Sequence, residues 1–447
     1  MKNELNLNPY VQRDQSDQVN IVVAAAGDDI KAKIESANKE GVQRILTAKP
    51  FLVRVKAAIE VLPGMKKRSI FHAGPPIEWR RMCGPMRGAI VGTMIFEGWA
   101  NSWEEAEKLV EEGEIELSPN HDHGAVGPMA GVISPSLPVM VVKNEKYGNV
   151  NYGRIVEQRV QFGAFDKEAV ASLQFWTEVM APSIEKALGK IRGQGGIGID
   201  LKSIMARALY MGDELHNRPT AGTALFALSI LPHLIETSED KEQLSQITSY
   251  FASNEIFFLC LAMTACKATM DAAREIEYST LVTVMARNGV EFGIKVSGLG
   301  NNKWFIGPAG IIKGLYFPGF ASRDANPDMG DSAITETAGI GGFALANSPA
   351  ILSLVGGTAE DALKYTRQMQ QITLGLNDTF LIPIFDFQGT ATGIDIRKVI
   401  KTGILPVIDT AIAHKEPGIG MIGAGLVTPP MEAFKSALKG YAEKYRL

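Results

Sequence analysis

A chain of 447 residues is longer than one hydrophobic core usually serves, so two or three lobes are expected. Its composition is globular, 46% apolar and 21% charged, and a formal charge of −4 with no basic stripe argues against nucleic acid as a partner. Three cysteines, Cys83, Cys260 and Cys266, without a CxxC pair fit a reducing, cytoplasmic setting; the polar N-terminal stretch does not read as a secretory leader, and no apolar run is long enough to suggest a membrane partner.

In chain order, residues 1–20 read as a polar tail, 19–24 as a short buried strand and 31–39 as a helix. Residues 54–62 have helical periodicity closed by Pro63-Gly64. Ser102-Trp103-Glu104-Glu105 is a capping box that opens a surface helix running to Glu112, and 139–143 reads as a strand. From 157 to 287 the pattern is almost wholly helical, with apolar periodicity over 175–188, 201–211, 221–234 and 255–276. Short β-rich runs return at 292–296, 380–385, 406–412 and 420–427, broken by glycine-rich loops, and 431–445 closes the chain as a helix. Asp200 and Asp395, each in a Gly-Ile-Asp sequence, read as N-caps. The fold class expected is mixed α/β (α+β) and multi-lobed. A polar tail (1–20) and an α/β portion with His, Arg and Cys loops (21–156) precede a large helical region (157–289) and a glycine-rich α/β portion (290–447).

Only six histidines occur, and four of them lie in three loops that also hold Arg, Asp or Glu beside Gly and Pro. Scaffold-held loops of this kind are where catalytic groups concentrate. The first runs from His72 through Arg80, Cys83 and Arg87, combining an imidazole, a thiol and guanidinium groups suited to carboxylate or phosphate. A thiolate at Cys83 is one reading; an inert buried thiol is the other. The second loop is Asn120-His121-Asp122-His123-Gly124 and the third is Gly212-Asp213-Glu214-Leu215-His216-Asn217-Arg218. His-x-His resembles half a metal site that His216 with Asp213 or Glu214 would complete. The spacing is weak for a loop, however, and acid/base or oxyanion work by His72, His121, His123 and His216 fits better, with no metal or other cofactor assigned.

Asn301, Asn302 and Lys303, after Gly298-Leu299-Gly300, offer donors to an anion, as do Asn217 and Arg218. The glycines there lack the dinucleotide fingerprint and form no P-loop. The segment from Met329 to Gly339 adds acids and hydroxyls, and 388–395 is a hydroxyl-rich turn into a helix. Together these segments imply one site shared by distant parts of the chain, handling a small anionic carbonyl compound.

The blocks around His72–Arg87, Ser118–Ala130 and Met211–Gly222, in that order, resemble the YlbE-like family, whose members are similar to the AllG-type subunit of oxamate carbamoyltransferase. The resemblance covers roughly residues 40–440. It implies a transferase subunit converting oxalurate and phosphate to oxamate and carbamoyl phosphate in allantoin breakdown. It also implies an oligomeric assembly with an FdrA-like subunit and a third small subunit. Two other readings stay open: a metal-dependent amidohydrolase using His121, His123 and His216, and a scaffold subunit without catalysis.

Overall fold

The computed structural model describes residues 28–447; the tail and the strand expected at 19–24 lie outside the described residues. The architecture is mixed α/β, with several sheets around a helical centre.

The first sheet has the order Ala125–Val126, Val150–Arg154, Pro138–Asn144, Pro50–Ala57, Ile199–Asp200. Pro50–Ala57 corrects the helix expected at 54–62: Arg54 to Ala57 are strand, and only Ala58–Val61 turns helically. The local periodicity lost to tertiary pairing, because residues 54–57 are paired antiparallel with Pro138–Val141. Beside this sheet, Ser69–His72 and Glu116–Pro119 form a parallel pair that fixes the starts of two of the histidine loops.

The helix Phe258–Asp271 is the centre of the molecule. It is apolar nearly all round and almost wholly buried, as a helix with neighbours on every side must be. Gly153 on the Val150–Arg154 strand allows its close approach, since a Cβ there would stand 1.8 Å from Thr264 Oγ1. Leu201–Tyr210 and Thr220–Thr237 pack against it, and Ala181–Gly193 and Lys241–Ser253 pack in turn on Thr220–Thr237. Phe226, Phe251, Phe257 and the fully buried Trp176 form an aromatic cluster, with the Trp176 and Phe257 rings parallel at 5.9 Å. Burying each such ring contributes about 1.5–3 kcal/mol. Among the described residues no single helix is long and apolar enough to cross a membrane; a bent pair, Lys241–Ser253 with Phe258–Asp271, passes on length and composition, yet its second helix is core.

The helical reading of 157–287 ends early. Val282–Asn288 is a buried strand that turns at Gly289 into Glu291–Val296, so a hairpin spans residue 289. This sheet continues to Phe305–Pro308 on one side and Met329–Gly330 on the other. A three-stranded sheet orders Lys313–Tyr316, Met421–Val427 and Ile408–Ala413, and Thr373–Ile382 pairs with Gln388–Ile394. The helix Met431–Tyr445 falls where its periodicity predicts. Asp200 and Asp395 do cap helices, accepting from Ser203 N and Arg397 N.

The N-terminal and C-terminal parts meet closely. Gly74 has φ +83°, and a Cβ on it would lie 2.4 Å from the Arg287 carbonyl carbon. No other residue fits that contact without moving backbone.

Candidate functional site in a cleft between the three portions

The loop 212–218 is folded by its own acids. Asp213 accepts from Ala221 N and Gly222 N, capping the Thr220–Thr237 helix from a distance, and pairs with Arg218 at 2.9 Å. Glu214 accepts from the amides of His216 at 2.7 Å and Arg218 at 2.5 Å. Leu215, between them, is held at φ +71°, an uncommon conformation for a branched residue and one that clusters at functional sites. The loop therefore presents His216 rigidly, and Arg218 serves the loop rather than a ligand.

His216 Nδ1 lies 2.8 Å from Glu336 Oε1. Glu336 also accepts from Gly342 N at 2.8 Å and, through Oε2, from Thr335 Oγ1 at 3.0 Å. With an acceptor at Nδ1, the hydrogen of the neutral ring sits there and Nε2 is the basic nitrogen. Gly341 (φ +61°) makes room for this dyad, since a Cβ would fall 2.2 Å from Glu336 Oε1. Asn217 Nδ2 donates to Asp409 Oδ1 at 2.5 Å. Burial pushes Glu214 up to about 7, and burial beside Glu214 and Glu336 pushes Asp409 well above the usual carboxylate range. Three buried carboxylates thus surround one imidazole.

His216 and Asn217 line a cavity of about 440 Å³. Met129 comes to it from the N-terminal portion, Gln161 and Leu259 from the helical one, and Ser332, Thr410 and Met421 from the C-terminal one. Clefts of this size between lobes are common ligand sites.

A second polar cluster stands behind Ser332. Asp331 accepts from Gly74 N, Asn120 Nδ2 and Gly127 N at 2.8–3.0 Å, and burial raises it to about 6. His121 is fully buried; its Nε2 is 3.5 Å from Asp331 Oδ1, and neither ring nitrogen has a hydrogen-bond partner. Burial, with Lys267 and Lys295 nearby, holds the His121 pKa well below its ordinary value. Lys295 pairs with Asp122 and donates to Asn301 O at 2.5 Å, and Trp304 Nε1 donates to Asp122 at 3.0 Å. The structure therefore brings the 120–122 and 301–304 segments together here.

Other candidates face elsewhere. His123 stacks on Phe71, with its two nitrogens at Ser118 Oγ and Pro63 O, a structural arrangement. His72 Nδ1 meets Ala73 O at 2.9 Å, and burial lowers its pKa. Arg80 is 80% exposed and paired with Glu111. Arg87 pairs with Glu107 over the Trp79 and Trp103 rings. Cys83 points at Asn288 O, and burial pushes its thiol up to about 11, which rules against a thiolate at neutral pH. Asn302 is exposed and Lys303 lies over Phe305. None of Arg80, Cys83, Arg87, Arg218 or Asn301 to Lys303 lines the cavity. Among the described residues no group of three or more His, Cys, Asp or Glu is arranged to hold a metal ion.

Glu336 lies in the 329–339 segment marked in the sequence for its acids and hydroxyls, while Asp409 was not singled out. Asp409 had a signal, as an acid inside the apolar run 406–412, where a lone carboxylate is costly without a purpose.

Fold and cavity together define a mixed α/β protein with a cavity lined by residues from distant parts of the chain. A family model described as oxamate carbamoyltransferase subunit AllG matches residues 115–332. Oxamate carbamoyltransferase subunit AllG of Escherichia coli is 42% identical over 415 residues, covering 92% of this chain and 98% of that protein. The uncharacterized protein YahG of Escherichia coli is 47% identical over 436 residues, 96% of this chain and 91% of its own. A crystal structure described as a conserved protein of unknown function from Enterococcus faecalis aligns with a TM-score of 0.90 at 47% identity, covering 93% of this chain and 99% of that one. The chain belongs to the AllG family of oxamate carbamoyltransferase subunits.

Proposed function

We propose that this chain carries the acid/base site of a carbamoyltransferase that converts oxalurate and phosphate to oxamate and carbamoyl phosphate. It would do so in a cytoplasmic assembly with an FdrA-like subunit and a third small subunit, in allantoin nitrogen breakdown. The observation that carries this reading is the Glu336–His216 dyad opening onto a cavity walled by all three portions of the chain. Phosphorolysis of a ureido group needs a proton delivered to the departing amide nitrogen, and recovered in the reverse direction, which suits His216 Nε2. Asn217, oriented by Asp409, offers its carboxamide oxygen to a ligand N–H. His121, with its unpartnered nitrogens, is kept as a second candidate; His72 and His123 act as supports.

In the assembled enzyme, His216→Gln should lower phosphate-dependent oxamate formation by about 100-fold or more while the melting profile persists. Unchanged turnover overturns the assignment. The hydrolase reading loses ground because both His123 nitrogens are engaged. A full zinc equivalent by elemental analysis would restore it.

A further inference from the structure

Among the described residues no Lys or Arg lines the cavity that holds His216, yet the ligands of the proposed reaction are anions. A cation stands one layer behind the wall. Arg287 is completely buried on the strand Val282–Asn288 and places all five of its N–H donors. Nε and Nη2 grip Asp328 at 2.7 and 2.9 Å, and Nη1 donates to Gly330 O at 2.6 Å. The remaining two go to hydroxyls: Nη1 to Ser332 Oγ at 3.3 Å and Nη2 to Thr410 Oγ1 at 3.0 Å. Both residues line the cavity, Ser332 being 2% exposed and Thr410 fully buried.

An oxygen that accepts from a guanidinium has its own hydrogen directed away from that guanidinium. The Thr410 hydroxyl otherwise reaches only its neighbour Ala411 O, at a long 3.4 Å. The two amino groups of one guanidinium thus each hold one hydroxyl of the cavity wall. We propose that Ser332 and Thr410, oriented and polarised by Arg287, form a carboxylate subsite that selects the acid end of the ligand. His216 and Asn217 then face its amide end. This rests on the proposed function and names the group that fixes the ligand's direction in the cavity. The Arg287–Asp328 pair cannot be displaced by the ligand, so the site is preorganised as anion-binding sites in dry pockets must be.

The test is calorimetric binding to the full chain of two probes, oxamate and its uncharged ethyl ester. Thr410→Val and Ser332→Ala should each weaken oxamate by about tenfold or more, as loss of a hydrogen bond to a charged group does, and change the ester by less than about threefold. Thr410→Ser keeps the hydroxyl and should retain oxamate binding, which separates the proposal from a misfolded wall. Oxamate affinity unchanged in both hydroxyl-deleted variants overturns the subsite, as does an equal loss of acid and ester. Failure of the proposed function looks different: the unmodified chain then binds neither probe, or binds both with no effect of Asn217→Ala.

Discussion

The segments 72–88 and 212–219 look alike in sequence, each mixing His, Arg, Gly and Pro, and end in opposite settings. In the first, Arg80 and Arg87 turn outward to Glu111 and Glu107 and Cys83 is sealed against Asn288. In the second, the acids fold inward and aim His216 at Glu336. Composition identified both loops as rich in reactive groups. What distinguishes them is which partners the rest of the fold supplies: an exposed and a half-buried glutamate on a neighbouring helix for one, buried carboxylates and a cavity for the other.

The comparison can be broken most forcefully at Arg287, which anchors the inward-facing side. Arg287→Met leaves Asp328 buried and unpaired, and is expected to destabilise the chain by about 3–5 kcal/mol in chemical denaturation. A cost below about 1 kcal/mol would show that the buried ion pair does not organise this wall.

A smaller effect is expected at Glu336. Glu336→Gln keeps the shape and an acceptor for Gly342 N and His216 Nδ1, but removes the negative charge beside the imidazole and turns Oε2, which accepts from Thr335 Oγ1, into a donor. Turnover of the assembled enzyme should fall by about 100-fold, with its pH profile displaced, whereas a purely structural role would leave the profile unmoved.

Glu214 predicts a pH dependence of stability. Its folded value of about 7 lies above the unfolded value of 4.5, so the folded chain holds a proton that the unfolded chain has released. Its stabilising contribution is full below about 4.5 and is lost as pH rises through about 7. The stability of the unmodified chain relative to Glu214→Gln should therefore decline across that window and level off above it. Buried His72 and His121 oppose the trend, losing stability as pH falls below 6.5, and taking the difference between the two proteins cancels them. A flat difference would place Glu214 outside the buried network.

The smallest effect belongs to the outward loop. Arg80→Ala should leave oxamate affinity and the melting temperature unchanged, since exposed ion pairs contribute little. A clear loss of affinity would bring that loop back into the site and dissolve the contrast.

Much of the secondary structure was decided locally. The helix Met431–Tyr445 follows Pro430 and keeps one apolar face, and Asp200 and Asp395 cap helices as their positions require. The family, too, was legible in three ordered blocks of uncommon residues. Residues 54–57 were not, because their state depends on the strand that arrives from 138–144. The same holds for the site. His216 stood out by residue type alone, but Glu336, Asp409, Ser332 and Thr410 acquire meaning only from contacts across 45 to 192 positions of chain. A hydroxyl in a strand and an acid in an apolar run are ordinary until folding places a buried guanidinium behind one and an imidazole before the other. Periodicity and capping act over a few residues and can be read along the chain; desolvation and charge pairing act through space, and only the tertiary structure decides which groups share it.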